Sequence, residues 1–313
     1  MKRLEMLAGT AAALAAAAAP GAAQTLPVIR LGTGLAEEKE LVYYAQDRGF
    51  FKQAGLDVQI DVMSDGGAAT AAAIGGALDM TVTNTGSVAA AHARGLPLYL
   101  VSPGALYSTA TPIAYLVTAP DSPIRSAKDL AGKTIGVTTL RDMIQAAGMG
   151  WIDKNGGDAK TAVFFEIPLA QMAGAIERKR LDAAIVVEPR YTDSKAGYHV
   201  LGTVYDAVAG GKPFITSSTI ANKAWADANP ALVTRFVAAM RATAQWANKN
   251  PLPCGEILAK YSKVAPDIIA QIPRLTWAET LVAAQVQPVI DITARYGMLP
   301  RGFPASELFT VVH

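Results

Sequence analysis

Three histidines, one cysteine and an adjacent pair of glutamates are the side chains with obvious catalytic chemistry, and their settings argue against it. His92 falls in a helical stretch, His199 in a turn and His313 at the end of the chain, so a Ser-His-Asp or Cys-His arrangement would have to recruit one from an unpromising place. Cys254 stands alone, which excludes an intramolecular disulfide and any C-x-x-C pair. No H-E-x-x-H occurs, so a zinc ion would lack its usual ligand spacing and no metal site is expected. Glu37 and Glu38 are neighbours, and consecutive helical positions point about 100° apart, which spoils a pair of carboxylates acting on one bond. They read as a charged helix start, and Glu177-Arg178-Lys179-Arg180 as a solvated helix end. No catalytic residue and no cofactor are expected.

The glycine-rich segment "MSDGGAATAAAIGGALDMTVTNTG", residues 63–86, raises phosphate binding instead. A nucleotide cradle needs G-x-G-x-x-G at a strand-to-helix turn or G-x-x-x-x-G-K-[S/T], because backbone amides and a lysine must surround the phosphates. Gly32-Thr33-Gly34 lacks the third glycine, and no Gly-Lys-Ser/Thr exists. What remains is Ser64-Asp65-Gly66-Gly67, a polar loop opening on free helix N–H groups, where backbone can approach a ligand closely.

The elements that must position such loops alternate. Pro27–Leu31 is a strand, 38–51 a helix, 56–62 a strand, 68–78 a helix, 79–82 a strand, 87–94 a helix and 96–101 a strand. That rhythm predicts an α/β fold with parallel sheets flanked by helices. It then restarts: strand 133–137, helix 141–154, strand 162–167, helix 169–178, strand 183–187. Ala73-Ile74 followed by Leu78-Asp79 is echoed by Ala175-Ile176 followed by Leu181-Asp182, which predicts two similar halves offset by about 100 residues, the second spanning 108–214. Phe214–Ile220 is again strand-like, and the rest is helical, with Trp246 and Trp277 inside apolar stripes that read as core.

In doubly wound sheets the ligand lies beyond the carboxyl ends of the strands. The residues there are Thr33, Gly34, Ser64, Asp65, Gly66, Gly67, Asn84, Thr85, Gly86, Thr138, Thr139 and Glu188. This set of mostly small, uncharged hydrogen-bonders suits recognition of a small polar molecule and lacks the base and nucleophile that turnover requires. Arg141, just beyond Thr139, is the candidate partner for a ligand anion.

Bulk properties agree. The 313 residues are 51% hydrophobic and 17% charged, with scattered basic residues and a net charge of +2, which disfavours disorder and nucleic-acid binding. Lys2 and Arg3, the apolar run 7–19, Pro20 and the small residues Gly21-Ala22-Ala23 form an export signal cleaved after residue 23, with Glu5 its one blemish. Thirteen residues are too few to span a bilayer, and no later run reaches about 18, so the protein is expected not to be membrane-inserted. The mature chain, a monomer in this reading, passes into a bacterial periplasm with a net charge of +1.

"LVYYAQDRGFFKQAGLDVQI", "GGALDMTVTNTGSVAAAHARGLPLYLV" and "SPIRSAKDLAGKTIGV" resemble the solute-binding proteins of ABC importers in the sulfonate, taurine, nitrate and thiamine-precursor family. The resemblance spans nearly all of the mature chain. It implies the two-lobed periplasmic-binding-protein fold (type II), with crossover segments near 107–112 and 212–216. Lobe I would comprise residues 24–107 plus 215–313, and lobe II residues 108–214. The ligand would sit in the cleft, and lobe closure would signal to the ABC permease transmembrane subunits. The family's cleft loops fall on Thr33, Gly34, Asp65, Gly66, Gly67, Asn84, Thr85, Thr138, Thr139 and Glu188, the set already reached from strand ends. The implied ligand is a sulfonate, an aromatic carboxylate or a heterocycle. Glu37 and Glu38 beside the first cleft loop oppose an anion if they point inward, while Arg141 favours one. Two alternatives carry the same resemblance: a ligand-presenting protein for a sensor or chemoreceptor, and a thiamine-precursor biosynthesis enzyme, whose cysteine-rich, histidine-supplying pattern is missing here.

Overall fold

A computed structural model describes residues 25–63 and 66–309; the signal segment, Ser64, Asp65 and His313 lie outside the described residues. The first unit runs β1 (Val28–Thr33), α1 (Leu41–Asp47), α2 (Phe50–Gln53), β2 (Asp57–Val62), α3 (Gly66–Ile74), β3 (Met80–Asn84), α4 (Thr85–Ala93), β4 (Leu98–Pro103) and β5 (Ala105–Tyr107). The second runs β6 (Ala114–Thr118), β7 (Thr134–Val137), α5 (Met143–Lys154), β8 (Val163–Glu166), α6 (Leu169–Glu177), β9 (Ala183–Val187), α7 (Arg190–Ser194) and β10 (His199–Thr203). The chain returns through β11 (Phe214–Ile215) and β12 (Ser217–Asn222) to α8 (Lys223–Ala228), α9 (Pro230–Lys249), α10 (Pro251–Ser262), α11 (Pro266–Ile269), β13 (Thr276–Trp277) and α12 (Ala283–Arg295).

Two five-stranded sheets result, ordered β2-β1-β3-β12-β4 and β10-β6-β9-β7-β8. In each, four strands run one way and a single strand runs against them: β12 lies antiparallel to both β3 and β4, and β6 to both β9 and β10. Each reversed strand is the one that enters its sheet directly after the chain has crossed over. Between the sheets lies a small antiparallel ribbon, β11-β5-β13, through which both crossings pass.

The echo seen in sequence has an atomic basis. Asp79 Oδ2 accepts the backbone N–H of Arg30 in β1 at 2.8 Å, and Asp182 Oδ2 accepts that of Thr134 in β7 at 2.8 Å. One residue before each aspartate, a leucine packs on a glycine: a Cβ on Gly32 would stand 2.5 Å from Leu78, and one on Gly136 would stand 2.6 Å from Leu181. The two halves therefore use the same joint, between β1 and β3 in one and between β7 and β9 in the other.

Apolar burial explains the rest. Leu41 to Ala45 are all buried, Phe51 stacks on Phe236 of α9 at 5.6 Å, and Trp277 meets Tyr44 edge-on at 5.7 Å, as expected of core tryptophans. Each such side chain stabilises the fold by roughly 1.5–3 kcal/mol relative to exposure. Three local expectations change. The helix expected over 38–51 is a 3-10 turn, Glu37–Lys39, followed by the separate α1 and α2. The strand expected over 214–220 divides at Thr216, whose N–H bonds Ala105 in the ribbon while its carbonyl accepts Thr85 N–H of the first lobe, so the chain changes sheets there. Finally, β13 interrupts the helical C-terminal region with two residues, too short a run to carry a period.

Candidate ligand-binding cleft

The loops that follow β3 and β7 meet at the junction of the two sheets. β3 ends in Asn84, whose Oδ1 accepts Ser87 N–H at 2.8 Å and caps α4. Its Nδ2 donates across the cleft to Asp142 Oδ2 at 2.7 Å, and Ser87 Oγ donates to the same oxygen at 2.8 Å. Asp142 is the N-cap position of α5, so the amino ends of one helix from each lobe are joined by one carboxylate. Gly86 permits this approach: a Cβ there would lie 2.6 Å from Met143 N.

Acidic side chains line the same junction. The turn after β1 turns Glu37 and Glu38 inward, 2% and 8% exposed. Glu37 Oε1 lies 3.3 Å from Arg274 Nη2 and feels the charge of Glu188, which follows β9 in the second lobe. Glu188 accepts Thr192 Oγ1 and N–H at 2.9 and 3.2 Å. Glu38 feels Lys39 and Asp142, and its backbone carbonyl accepts Ser217 Oγ. Behind them, Glu40 is sealed at the start of α1. Glu37 Oε2, Glu38 Oε2, both oxygens of Glu40 and Asp142 Oδ1 are buried without a hydrogen-bond partner. Burial pushes the Glu37 carboxyl up to about 8, with Arg274 pulling the other way. Burial also raises Glu38, Asp142 and Glu188, opposed by Lys39, by the Asn84 and Ser87 hydrogen bonds and by Thr192 respectively.

The other expected site residues vary in their availability. Thr33 is buried at the end of β1, and Gly34 lies so that a Cβ would be 3.7 Å from Lys39 Nζ. Gly66 and Gly67 open α3, and Asp65 lies outside the described residues. Thr85 is taken up inside the first lobe, its hydroxyl 3.2 Å from Ser218 Oγ. Thr138 and Thr139 sit half-buried in the bend before α5. Arg141 is exposed and donates to the Gly297 carbonyl at 3.3 Å, at the far end of α12. Ser87, Lys39, Asp142 and Arg274 also stand at this junction, outside the expected set. Asp142 carried a usable signal, an acidic residue just ahead of a helix, whereas Arg274 arrives from more than two hundred residues away with no local mark.

Residues 39–252 match the NMT1/THI5-like family. The chain belongs to that family. Its solved structural neighbours share the two-lobed fold at low identity. The alkanesulfonate-binding protein SsuA from Xanthomonas axonopodis pv. citri, bound to MOPS, superposes with a TM-score of 0.74 at 16% identity, covering 92% of this chain and 99% of that one. A ligand-binding component of an ABC-type import system from Staphylococcus aureus, with zinc bound, gives 0.77 at 12% identity over 91% and 96%. The nitrate-binding protein NrtA from Synechocystis gives 0.74 at 14% over 90% and 85%. No curated protein matches the chain by sequence. The NMT1/THI5-like membership and the α/β, two-lobed type II architecture agree with the expectation drawn from the motifs. No helix among the described residues is long and apolar enough to cross a membrane.

Proposed function

We propose that this NMT1/THI5-like protein binds a small organic solute in the cleft between two lobes and delivers it unchanged to the membrane subunits of an ABC permease. In this reading residues 1–23 export the chain to the periplasm, residues 24–107 with 215–313 form one lobe, residues 108–214 form the other, and the protein works as a monomer. The observation that carries the proposal is the shared carboxylate of Asp142, held by Asn84 and Ser87 from the opposite lobe, next to buried polar oxygens without partners. Contacts that form only when the lobes meet let a bound solute tip an open–closed balance of a few kcal/mol. An affinity near micromolar, about −8 kcal/mol, is sufficient for that. His92 is engaged elsewhere, its Nε2 3.2 Å from Glu307 and its ring against Phe303.

Solution scattering of the purified protein, before and after adding a solute recovered from it by native mass spectrometry, tests the reading. Compaction with recovery of the unaltered solute is expected. A radius of gyration that ignores the solute, or a chemically converted product, would overturn it.

A further inference from the structure

A groove of about 810 Å³ opens within the second unit alone, between β8 and α6. Phe165, Ile167, Pro168 and Leu181 give it an apolar lining, and Arg178 and Arg180 stand on its wall. Its volume is that of a small-molecule site. Successive residues of a strand face opposite sides of the sheet. Phe164 goes under α5, its ring 3.3 Å from where a Cβ on Gly148 would stand, so Val163 and Phe165 face the other way, 55% and 56% exposed. Helix α6 packs on β9, and these two side chains stay uncovered. Leu181 and Ile167 close the floor, 2.6 and 3.2 Å from where a Cβ on Gly136 would stand.

The cations come from the end of α6. Gly174 makes room for Arg178, whose Nη2 lies 2.7 Å from where a Cβ on that glycine would stand. Lys179, in left-handed backbone at φ 53°, is paired with Asp121 at 3.7 Å and leads the chain on to Arg180. Neither the Arg178 nor the Arg180 guanidinium has a hydrogen-bond or carboxylate partner among the described residues. The carboxylate in the lining, Glu166, accepts Leu140 N–H at 2.8 Å.

The first unit is built on the same joint and closes the same place. The strand registers make Arg30 the counterpart of Thr134. The Arg30 guanidinium bridges Asp79 at 2.6 Å and the Gly76 carbonyl at 3.1 Å, so a side chain lies where the groove would open. Thr134 is too short for that bridge. The edge strand β2 carries Gln59 and Asp61 where β8 carries Val163 and Phe165. One repeat thus shows water a polar, filled face, and the other an open apolar one with two free guanidiniums. An exposed apolar surface marks a binding site, and guanidiniums beside it suit a carboxylate with an apolar body.

We propose that this groove is a second ligand site, separate from the cleft, which takes an amphipathic anion: a medium-chain or aryl-alkyl carboxylate with its apolar body on Phe165 and Leu181 and its carboxylate paired with Arg178 and Arg180. The inference does not depend on what the cleft holds.

The test is calorimetry of the mature chain with octanoate and 4-phenylbutyrate, and with octylamine as the cationic control. One equivalent of at least one carboxylate should bind, and octylamine should not. Arg178→Gln and Arg180→Gln should each weaken binding several-fold, and the double variant on the order of tenfold, as expected of exposed ion pairs. Thr134→Arg, which refills the groove as Arg30 does in the first unit, should abolish it. The exposed Phe165→Ser should weaken it without touching the core, and dichroism and melting show whether each variant folds. Gly86→Ala, which keeps the lobes apart, should leave it unchanged. Failure of both carboxylates overturns the proposal, as does equal binding of octylamine. Binding lost in Gly86→Ala but kept in Thr134→Arg would place the carboxylate in the cleft and also overturn it. So would a concentration-dependent dimer in sedimentation that Phe165→Ser dissolves, since a second copy would then cover the face.

Discussion

At the residue scale, the decisive feature is a set of carboxylates that the fold holds away from water. Burial moves the Glu37 carboxyl from its ordinary 4.5 up to about 8, and Glu38, Asp142 and Glu188 shift in the same direction. Facing Glu37 are Arg274 and the Leu275 backbone N–H, which favour the ionised form, and Glu188, Glu38 and Glu40, which oppose it. The folded chain thus holds protons that the unfolded chain has released between about 4.5 and about 8. The stability these groups contribute is complete below that window and is lost as pH rises through it. The Tm of the ligand-free protein is expected to fall across the window, and Glu37→Gln should flatten the fall; a Tm that climbs with pH there would contradict the assignment.

At the scale of elements, the repeated strand–helix–strand unit is tied by an equivalent aspartate in each half. Asp79 accepts a backbone N–H of β1 and Asp182 one of β7, the central neighbour of the strand each aspartate precedes. Their replacement by Ala leaves that donor unsatisfied and should cost about 1–3 kcal/mol. Asp79 should cost more, because its carboxylate is 7% exposed against 40% for Asp182 and also takes Arg30. Chemical denaturation measures both, and solute binding should persist in each folded variant. Helix α12 makes a different connection, since it packs on α4 of the first lobe and on α5 of the second. Tyr296, just past its end, donates to Asp153 Oδ2 at 2.8 Å, beside a groove of about 310 Å³. Tyr296→Phe should remove roughly 0.5–1.5 kcal/mol from the closed arrangement alone. The expected result is a several-fold weaker Kd by calorimetry, although the residue is remote from the carboxylates.

At the scale of the molecule, closure depends on how near the two lobes can come. Gly86 lies against the Met143 backbone with no room for a methyl group, since a Cβ would stand 2.6 Å from the amide nitrogen. Gly86→Ala should therefore hold the lobes apart while each keeps its own core. Scattering should report an expanded particle that no longer contracts, binding should be lost, and the far-ultraviolet dichroism should be unchanged. Contraction and wild-type affinity in Gly86→Ala would show that the lobes meet elsewhere.

By itself the sequence determined the local and the periodic: the βα rhythm, the repeat marked by Leu78-Asp79 and Leu181-Asp182, the apolar setting of Trp277, and the loops at the strand ends. Those features are legible because a strand or helix writes its period into neighbouring residues, and because Asn84 accepts the backbone N–H of Ser87 only three residues on. Tertiary structure alone decided the rest. It brought Arg274 to Glu37, set Asp142 under Asn84 and Ser87, sent Arg141 to Gly297, and buried the two adjacent glutamates of the charged helix start. Burial and charge pairing depend on atoms distant along the chain, so the side chains that meet at this junction leave no period to read.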